Sequence, residues 1–445
     1  MLPNPANPIN RLTDQSTGPN RGPPTAAGDR LVPARRPCPP VGRRRANLEG
    51  MSGGGGPSTD GIGRMLDLVR QHLDMDVAFV SEFVGPEWVL RHISADAAGL
   101  EAGLRHPLEE TYCKRITDGR VDCVIPDAAA NPELAALEVT RALSIGAYVG
   151  VPIVLSDGTL YGTFCSYRHR PDPTLTERDA RYLSLIASLF SERLEAERAA
   201  RAQQVAELSR VRAALEAGLP RMVFQPIVEL GSGRVWAVEA LARFDAEPDR
   251  PPEEWFAEAH RVGLGVDLEL QSLGAVLDHL PADGSGHVSV NLGPEALCSA
   301  DLEKLLEDVP PHQLVIEVTE HELMADVGRT QEAVARLRRA GFRLAIDDIG
   351  AGYAGLSRIV SLSPEIIKLD RVLVQRIDRD PTRQALVRAG VGFAAALGAA
   401  LVAEGIETEA ELAMLRHLGI TLGQGFHLGR PAPPGRWVTG SVAGP

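Results

Sequence analysis

The stretch QLVIEVTEHELMADVGRTQEAVARLRRAGFRLAIDDIG, residues 313–350, carries the pattern that decides the fold. Two aliphatic runs, Leu314 to Val318 and Leu344 to Ile346, are short enough for buried strands. Between them TQEAVARLRRAG (330–341) is amphipathic at helical spacing, and Gly341 supplies a common helix stop. Strand, returning helix and second strand together join parallel neighbours. Both strands end in acid: Glu317 with Glu320 on the first, adjacent Asp347 and Asp348 on the second. Like charges side by side at the end of a buried strand repel one another and resist desolvation, so a cation should lie against them.

The same alternation extends on either side. Eight strand-like runs occur: MVFQPIVEL (222–230), VWAVEAL (235–241), HVSVNL (287–292), QLVIEVTE (313–320), FRLAIDD (342–348), EIIKLD (365–370), ALVAEGI (400–406) and TLGQGF (421–426). Helical stretches such as ETEAELAMLRHLG (407–419) separate them, which predicts a (β/α)8, TIM-like barrel of the α/β class. The first two runs are joined only by Gly231-Ser232-Gly233. That link is too short for a parallel crossover, so the barrel is expected to be modified, with one antiparallel strand.

Active sites of such barrels lie at the C-terminal strand ends. Those positions hold Glu239, Asn291, Glu317 with Glu320, Asp347 with Asp348, Lys368, Glu404 with Glu407, and Gln424. With Lys368 and Arg243 as the opposing cations, so many converging carboxylates cannot all stay ionised without metal. Oxygen donors with one amide suit Mg2+ or Mn2+ better than zinc. Paired aspartates suit two ions that clamp the attacking and leaving oxygens of a phosphodiester displacement. The bland alternative, a set of solvated strand ends or helix caps, fits poorly with the apolar runs that precede these residues.

These residues also carry a family resemblance. QPIV (225–228), EALAR (239–243), NLGP (291–294), EVTE (317–320), DDIGAGYAGL (347–356), IKLD (367–370), AEGIE (403–407) and GQGFHLGRP (423–431) resemble the EAL-domain phosphodiesterases, which hydrolyse cyclic di-GMP to linear pGpG. The resemblance implies that Glu239, Asn291, Glu317, Asp347 and Asp348 are ligands of two Mg2+ or Mn2+ ions. It makes Glu239, Lys368 and Glu404 catalytic, with Glu407 as a neighbouring support and Glu320 steadying the loop after the paired aspartates. Gln225, Arg243, Gln424 and Asp348 would contact the dinucleotide. The chain departs from the family pattern at Ile349 (usually Phe), at Phe244 (usually Trp), and at Ala257 and His260. A receptor that binds the dinucleotide without turnover, and a dimeric scaffold, are the rival readings.

Upstream, a helix (Ile62 to Leu73) precedes DVAFVSEFV and EWVLRHISA, which are separated by Gly85-Pro86. Two further strands flank Asp157-Gly158, a hairpin signal, and a helix is expected from about Thr176. TYCKRITDG (111–119), VIPDAAANPEL (124–134) and YVGVPIVLSDGTLYGTFC (148–165) resemble a GAF domain. That implies an α+β sensor for an unknown small molecule. Cys113 and Cys165 read as small core residues, Cys298 as incidental, and His312 and His321 as capping or surface residues. Tyr182, Ile186, Leu189 and Leu194, then Val205, Leu208, Val211 and Leu215, form an imperfect apolar face along one long helix. We read it as a dimerising signalling helix in preference to an amphipathic helix packed on its own domain.

The expected organisation is a disordered segment at 1–58, a GAF-like sensor at 59–195, a helical linker at 196–218, an EAL domain at 219–438 and a tail at 439–445. The first segment is rich in Pro, Gly, Asn and Arg, and Met51, before a Gly-rich run that matches no phosphate loop, is an alternative start. A net charge of −13 in 445 residues argues against nonspecific nucleic-acid binding. Five cysteines without a C-x-x-C pair predict reduced thiols, and no window is long and apolar enough to span a membrane. A cytoplasmic homodimer is the expectation.

Overall fold

The computed structural model describes residues 60–95, 100–281, 286–319, 327–349 and 356–437. Two compact units divide between Glu197 and Arg198.

The first unit opens with the helix Asp60–His72 and builds one antiparallel sheet of six strands. These are β1 (Val77–Val84), β2 (Glu87–Ala95), β3 (Arg105–Pro107), β4 (Val124–Ile125), β5 (Ala147–Val154) and β6 (Leu160–Arg168), in the order β3-β2-β1-β6-β5-β4. Both expected hairpins form. Gly85 turns β1 into β2 at φ +60, and Gly158 turns β5 into β6 at φ +86, where Asp157 Oδ1 accepts the Thr159 N–H at 2.8 Å. Leu66, Val80, Leu90 and Phe164 fill the core with Leu183 and Phe190 of the helix Glu177–Glu216.

Further along that helix the apolar face divides. Val211 and Ala214 are buried in a cluster with Phe244, Trp255 and Leu268 of the second unit, whereas Val205 is 62% exposed. The last turns therefore pack in a small cluster of the second unit, beside the barrel's main core.

The second unit is a closed barrel of eight strands: β7 (Arg221–Glu229), β8 (Val235–Arg243), β9 (Val288–Asn291), β10 (Leu314–Thr319), β11 (Arg343–Ile349), β12 (Ile366–Leu369), β13 (Ala400–Ala403) and β14 (Leu422–Gly423). All neighbours are parallel except that β7 runs against both β8 and β14, as the Gly-Ser-Gly link requires. Alternation of side chains sorts each strand. Val315, Ala345, Ile366, Val402, Leu422, Ala237 and Ile227 pack together as one interior cluster. Ile316, Val318, Leu344 and Ile346 belong to the larger core that takes in the surrounding helices. Two positions beyond each interior residue comes a polar one: Glu317, Asp347, Lys368, Glu404, Gln424 and Glu239. In the reversed strand β7 the polar residue, Gln225, comes two positions before Ile227. One period-2 rule thus carries all seven to the same end of the barrel.

Among the described residues no helix is long and apolar enough to cross a membrane. Among the described residues Cys113, Cys165 and Cys298 are free thiols.

The helix Glu409–His417 is fixed by a capping box, Thr408 accepting from the Glu411 N–H at 3.2 Å. The Glu411 carboxylate accepts from the N–H groups of Glu407, Thr408 and Arg376 at 3.0, 3.0 and 2.8 Å, tying down the loop after β13. Burial pushes this carboxyl up, but those donors outweigh it and hold it below the usual range. Its stabilising effect is therefore present above the ordinary carboxylate pKa and is lost as pH falls through the lowered value. Glu411→Ala is expected to cost roughly 1–3 kcal/mol in denaturant unfolding, by leaving buried N–H donors unpaired. The difference from the parent should shrink towards pH 3.

Candidate active site

Lys368, the last inward residue of β12, is 1% exposed. Its Nζ lies 2.7 Å from Glu404 Oε1, 2.9 Å from Glu317 Oε2, 3.3 Å from Asp347 Oδ2 and 3.4 Å from Glu239 Oε1. One ammonium thus faces four carboxylates, and the shortage of positive charge shows in the titration of the group. Burial pushes the Glu317 carboxyl up to about 8, against the pull of Lys368 and with the push of Glu239 and Asp347. Burial likewise holds Glu404 well above the carboxylate range. For Lys368 burial acts downward, but the four acids outweigh it and keep the ammonium firmly protonated.

Glu239, Glu317 and Asp347 each offer an oxygen, and these atoms lie within 4.8 Å of one another. Neighbouring amides point at the same acids. Asn291 Nδ2 donates to Glu239 Oε1 at 3.3 Å, and Gln424 Nε2 donates to Glu239 Oε2 at 2.6 Å and to Gln225 Oε1 at 3.2 Å. Gln225 in turn donates to the Gly429 carbonyl at 3.0 Å. The Gln424 Oε1 acceptor is buried without a hydrogen-bond partner. An all-oxygen donor set with surplus negative charge fits a hard divalent cation.

The structure therefore gathers Glu239, Glu317, Asp347, Lys368 and Glu404, with Asn291, Gln225 and Gln424 against them. Arg243 is half-buried at the end of β8, donating to the Ala242 carbonyl at 2.6 Å. Glu407 stands apart: it is exposed, and its backbone N–H is engaged by Glu411. Glu320 lies outside the described residues. Asp348 is in β11, where pairing with β12 shifts register between Ile346 and Ile349.

Two supports escaped the sequence reading. Glu411 is one. The other is Glu269, a buried acid on the helix Gly265–Leu277, whose Oε2 accepts the Gly293 N–H at 2.7 Å, two residues after Asn291. Its Oε1 is 2.7 Å from His260 Nε2, so the departure at His260 supplies an exposed imidazole that pairs with a buried acid. Phe244, another departure, stacks on Trp255 at 5.0 Å. The signal available for Glu269 was an acid on the apolar face of a helix.

Residues 208–431 match the EAL domain family model, just over half of the chain. The chain belongs to the EAL-domain family. Residues 62–194 match the GAF domain model, so a GAF domain precedes the EAL domain. A protein of Caulobacter vibrioides described as an uncharacterized signaling protein is 34% identical over 236 residues, 50% of this chain and 28% of that protein. The probable cyclic di-GMP phosphodiesterase PdeB of Escherichia coli is 32% identical over 222 residues, 47% of this chain and 42% of PdeB. Among solved structures, the calcium and cyclic di-GMP complex of Klebsiella pneumoniae BlrP1 is similar at a TM-score of 0.43 and 36% identity, over 48% of this chain and 56% of that one. The chain spans less than half the length of the two curated relatives.

The raised Glu317 carboxyl has a consequence for stability. A carboxyl whose folded pKa lies above its unfolded value favours the folded state at low pH, and that contribution is lost as pH climbs towards about 8. In chelator, the melting temperature of the EAL domain is expected to fall between pH 5 and pH 8.5, and less so in Glu317→Gln. Lys368→Met should cost about 3–5 kcal/mol at pH 8, because it strands buried acids without their cation. The cost should be smaller at pH 5, where Glu317, raised to about 8, carries its proton.

Proposed function

We propose that this protein hydrolyses cyclic di-GMP to linear pGpG in a reaction that depends on divalent metal, under the influence of its GAF domain. The observation that carries the reading is the convergence of Glu239, Glu317, Asp347 and Glu404 on Lys368 at the C-terminal mouth of the barrel. The family membership and the description of PdeB as a probable cyclic di-GMP phosphodiesterase support the choice of substrate.

On this reading Glu239, Asn291, Glu317, Asp347 and Asp348 hold two Mg2+ or Mn2+ ions. When bound, such ions supply charge neutralisation on the phosphodiester and lower the pKa of a coordinated water. The remaining work belongs to the chain. Lys368 Nζ keeps Glu317 Oε2 and Glu404 Oε1 in fixed positions, and Glu404, which holds no ion on this reading, offers a place for the proton released by the attacking water. Glu407 and Glu320 support the loops after their strands. Arg243 gives a guanidinium suited to phosphate, while Gln225, Gln424 and Asp348 bound the dinucleotide. In-line attack on one phosphodiester opens the ring and leaves a terminal phosphate, with no covalent protein intermediate.

The same reading includes a cytoplasmic homodimer. Leu185 and Leu189, on the helix Glu177–Glu216, are 59% and 40% exposed, which supports association through apolar contact. Light scattering of Leu185→Glu/Leu189→Glu should show a smaller particle than the parent.

Chromatography of the protein incubated with cyclic di-GMP and Mg2+ or Mn2+ tests the enzyme. pGpG should accumulate, and EDTA should stop it. Glu239→Ala should lose at least roughly 100- to 1,000-fold in rate, since it removes a ligand of the ions that would neutralise charge developing in the transition state. An active Glu239→Ala enzyme would overturn the metal-site assignment, and tight binding without product would make the protein a receptor.

A further inference from the structure

The first unit holds a pair of thiols that the barrel chemistry leaves unused. Cys113, on the short helix Tyr112–Thr117, and Cys165, on β6, bring their Sγ atoms to 3.9 Å, and both are buried. Gly150 lies opposite Cys165 in the β5–β6 pairing, and a Cβ there would meet Cys165 Sγ at 3.0 Å. The missing side chain gives the Cys165 thiol its place beside Cys113.

The two sulfurs differ in surroundings. Trp88 Nε1–H donates to Cys113 Sγ at 3.2 Å, the Tyr148 hydroxyl is 3.6 Å away and the Ser81 hydroxyl 3.9 Å. Burial alone would push Cys113 up, but hydrogen bonds from Cys165, Thr163, Tyr148 and Trp88 bring it down to about 6. Burial and the adjacent Cys113 push Cys165 well up. Access differs as well. Cys113 lines a cavity of about 240 Å³ walled by Phe79, Trp88, Tyr112, Tyr148 and Tyr167, which opens beside the exposed Arg105 and Glu138; Cys165 does not line it.

We propose that Cys113 and Cys165 form a hydroperoxide-reactive dithiol, in which Cys113 reacts first and Cys165 closes a disulfide. The proposal is independent of the barrel's activity. An apolar, aromatic cavity admits a small neutral oxidant and disfavours a charged one such as a peptide disulfide. A thiolate held by hydrogen-bond donors is the nucleophile that a hydroperoxide needs. The Cys113 thiolate attacks the terminal oxygen of ROOH and the O–O bond breaks. The leaving alkoxide takes up a proton and departs as ROH, leaving Cys113 as a sulfenic acid. Cys165 then attacks that sulfur, water leaves, and the S–S bond forms. Two thiols lose two electrons, and the hydroperoxide is reduced to an alcohol and water. The sulfurs must approach by about 2 Å to reach disulfide length.

The full chain, reduced and then freed of reductant, is treated with one equivalent of hydrogen peroxide or of cumene hydroperoxide and mapped by mass spectrometry without reduction. A Cys113–Cys165 linked peptide should form at least tenfold faster than Cys298 is oxidised, and the ratio of the two rates identifies which hydroperoxide the cavity prefers. In Cys165→Ser, dimedone should label Cys113; in Cys113→Ser, Cys165 should stay reduced. Should either variant fail to fold, the parent map decides alone. Oxidation of the more exposed Cys298 while Cys113 and Cys165 remain thiols, or linkage of Cys113 to a different cysteine, overturns the proposal.

Discussion

A single buried ammonium surrounded by four acids organises the barrel's mouth. Lys368 cannot sit at the end of β12 without carboxylates, and Glu239, Glu317, Asp347 and Glu404 cannot converge without a cation among them. The strands that carry these residues must therefore end at the same level, which only barrel closure achieves. Even so the charges do not balance, and the chain meets the surplus by raising Glu317 and Glu404. Burial is the larger cause of both shifts, and the neighbouring acids add to it.

Around that centre lies a ring of groups that never touch the cluster and yet fix what does. Glu269 grips the backbone after Asn291, and Glu411 grips the backbone after Glu404. Both are buried acids that accept from main-chain N–H groups, an arrangement that keeps a loop in one conformation at little cost in charge repulsion. Catalytic strand ends are followed by loops in this fold, and loops need such anchors if their neighbouring side chains are to stay in register. In the GAF domain the buried Ser81 and Thr163 hydroxyls meet each other, as do the Cys113 and Cys165 thiols, and Cys113 lines a cavity.

Much of this was legible beforehand because two periodicities carry most of the fold. The alternation within FRLAIDD fixed which of its residues face inward, and the Gly231-Ser232-Gly233 link fixed the one reversed strand pair. Every acid of the central cluster could be named from its place two positions beyond an interior aliphatic residue. Glu407 was less legible, since proximity in sequence to Glu404 does not survive a turn that leaves it exposed. Nor was it legible that, of the long helix's apolar face, Val211 and Ala214 are buried with Trp255 and Phe244, partners far away in sequence, while Leu185, Leu189 and Val205 stay exposed.

The sequence by itself determined the barrel, its antiparallel strand, the GAF domain's hairpins and the identity of the acids at the strand ends, because these follow from local spacing and turn chemistry. Only the tertiary structure decided that four of those acids share one lysine, that Glu269 and Glu411 hold the flanking loops, and that Cys113 and Cys165 meet beside Gly150. The lysine's partners lie from 21 positions away (Lys368 to Asp347) to 129 away (Lys368 to Glu239), and the energies of such contacts depend on distance and burial, neither of which a linear pattern encodes.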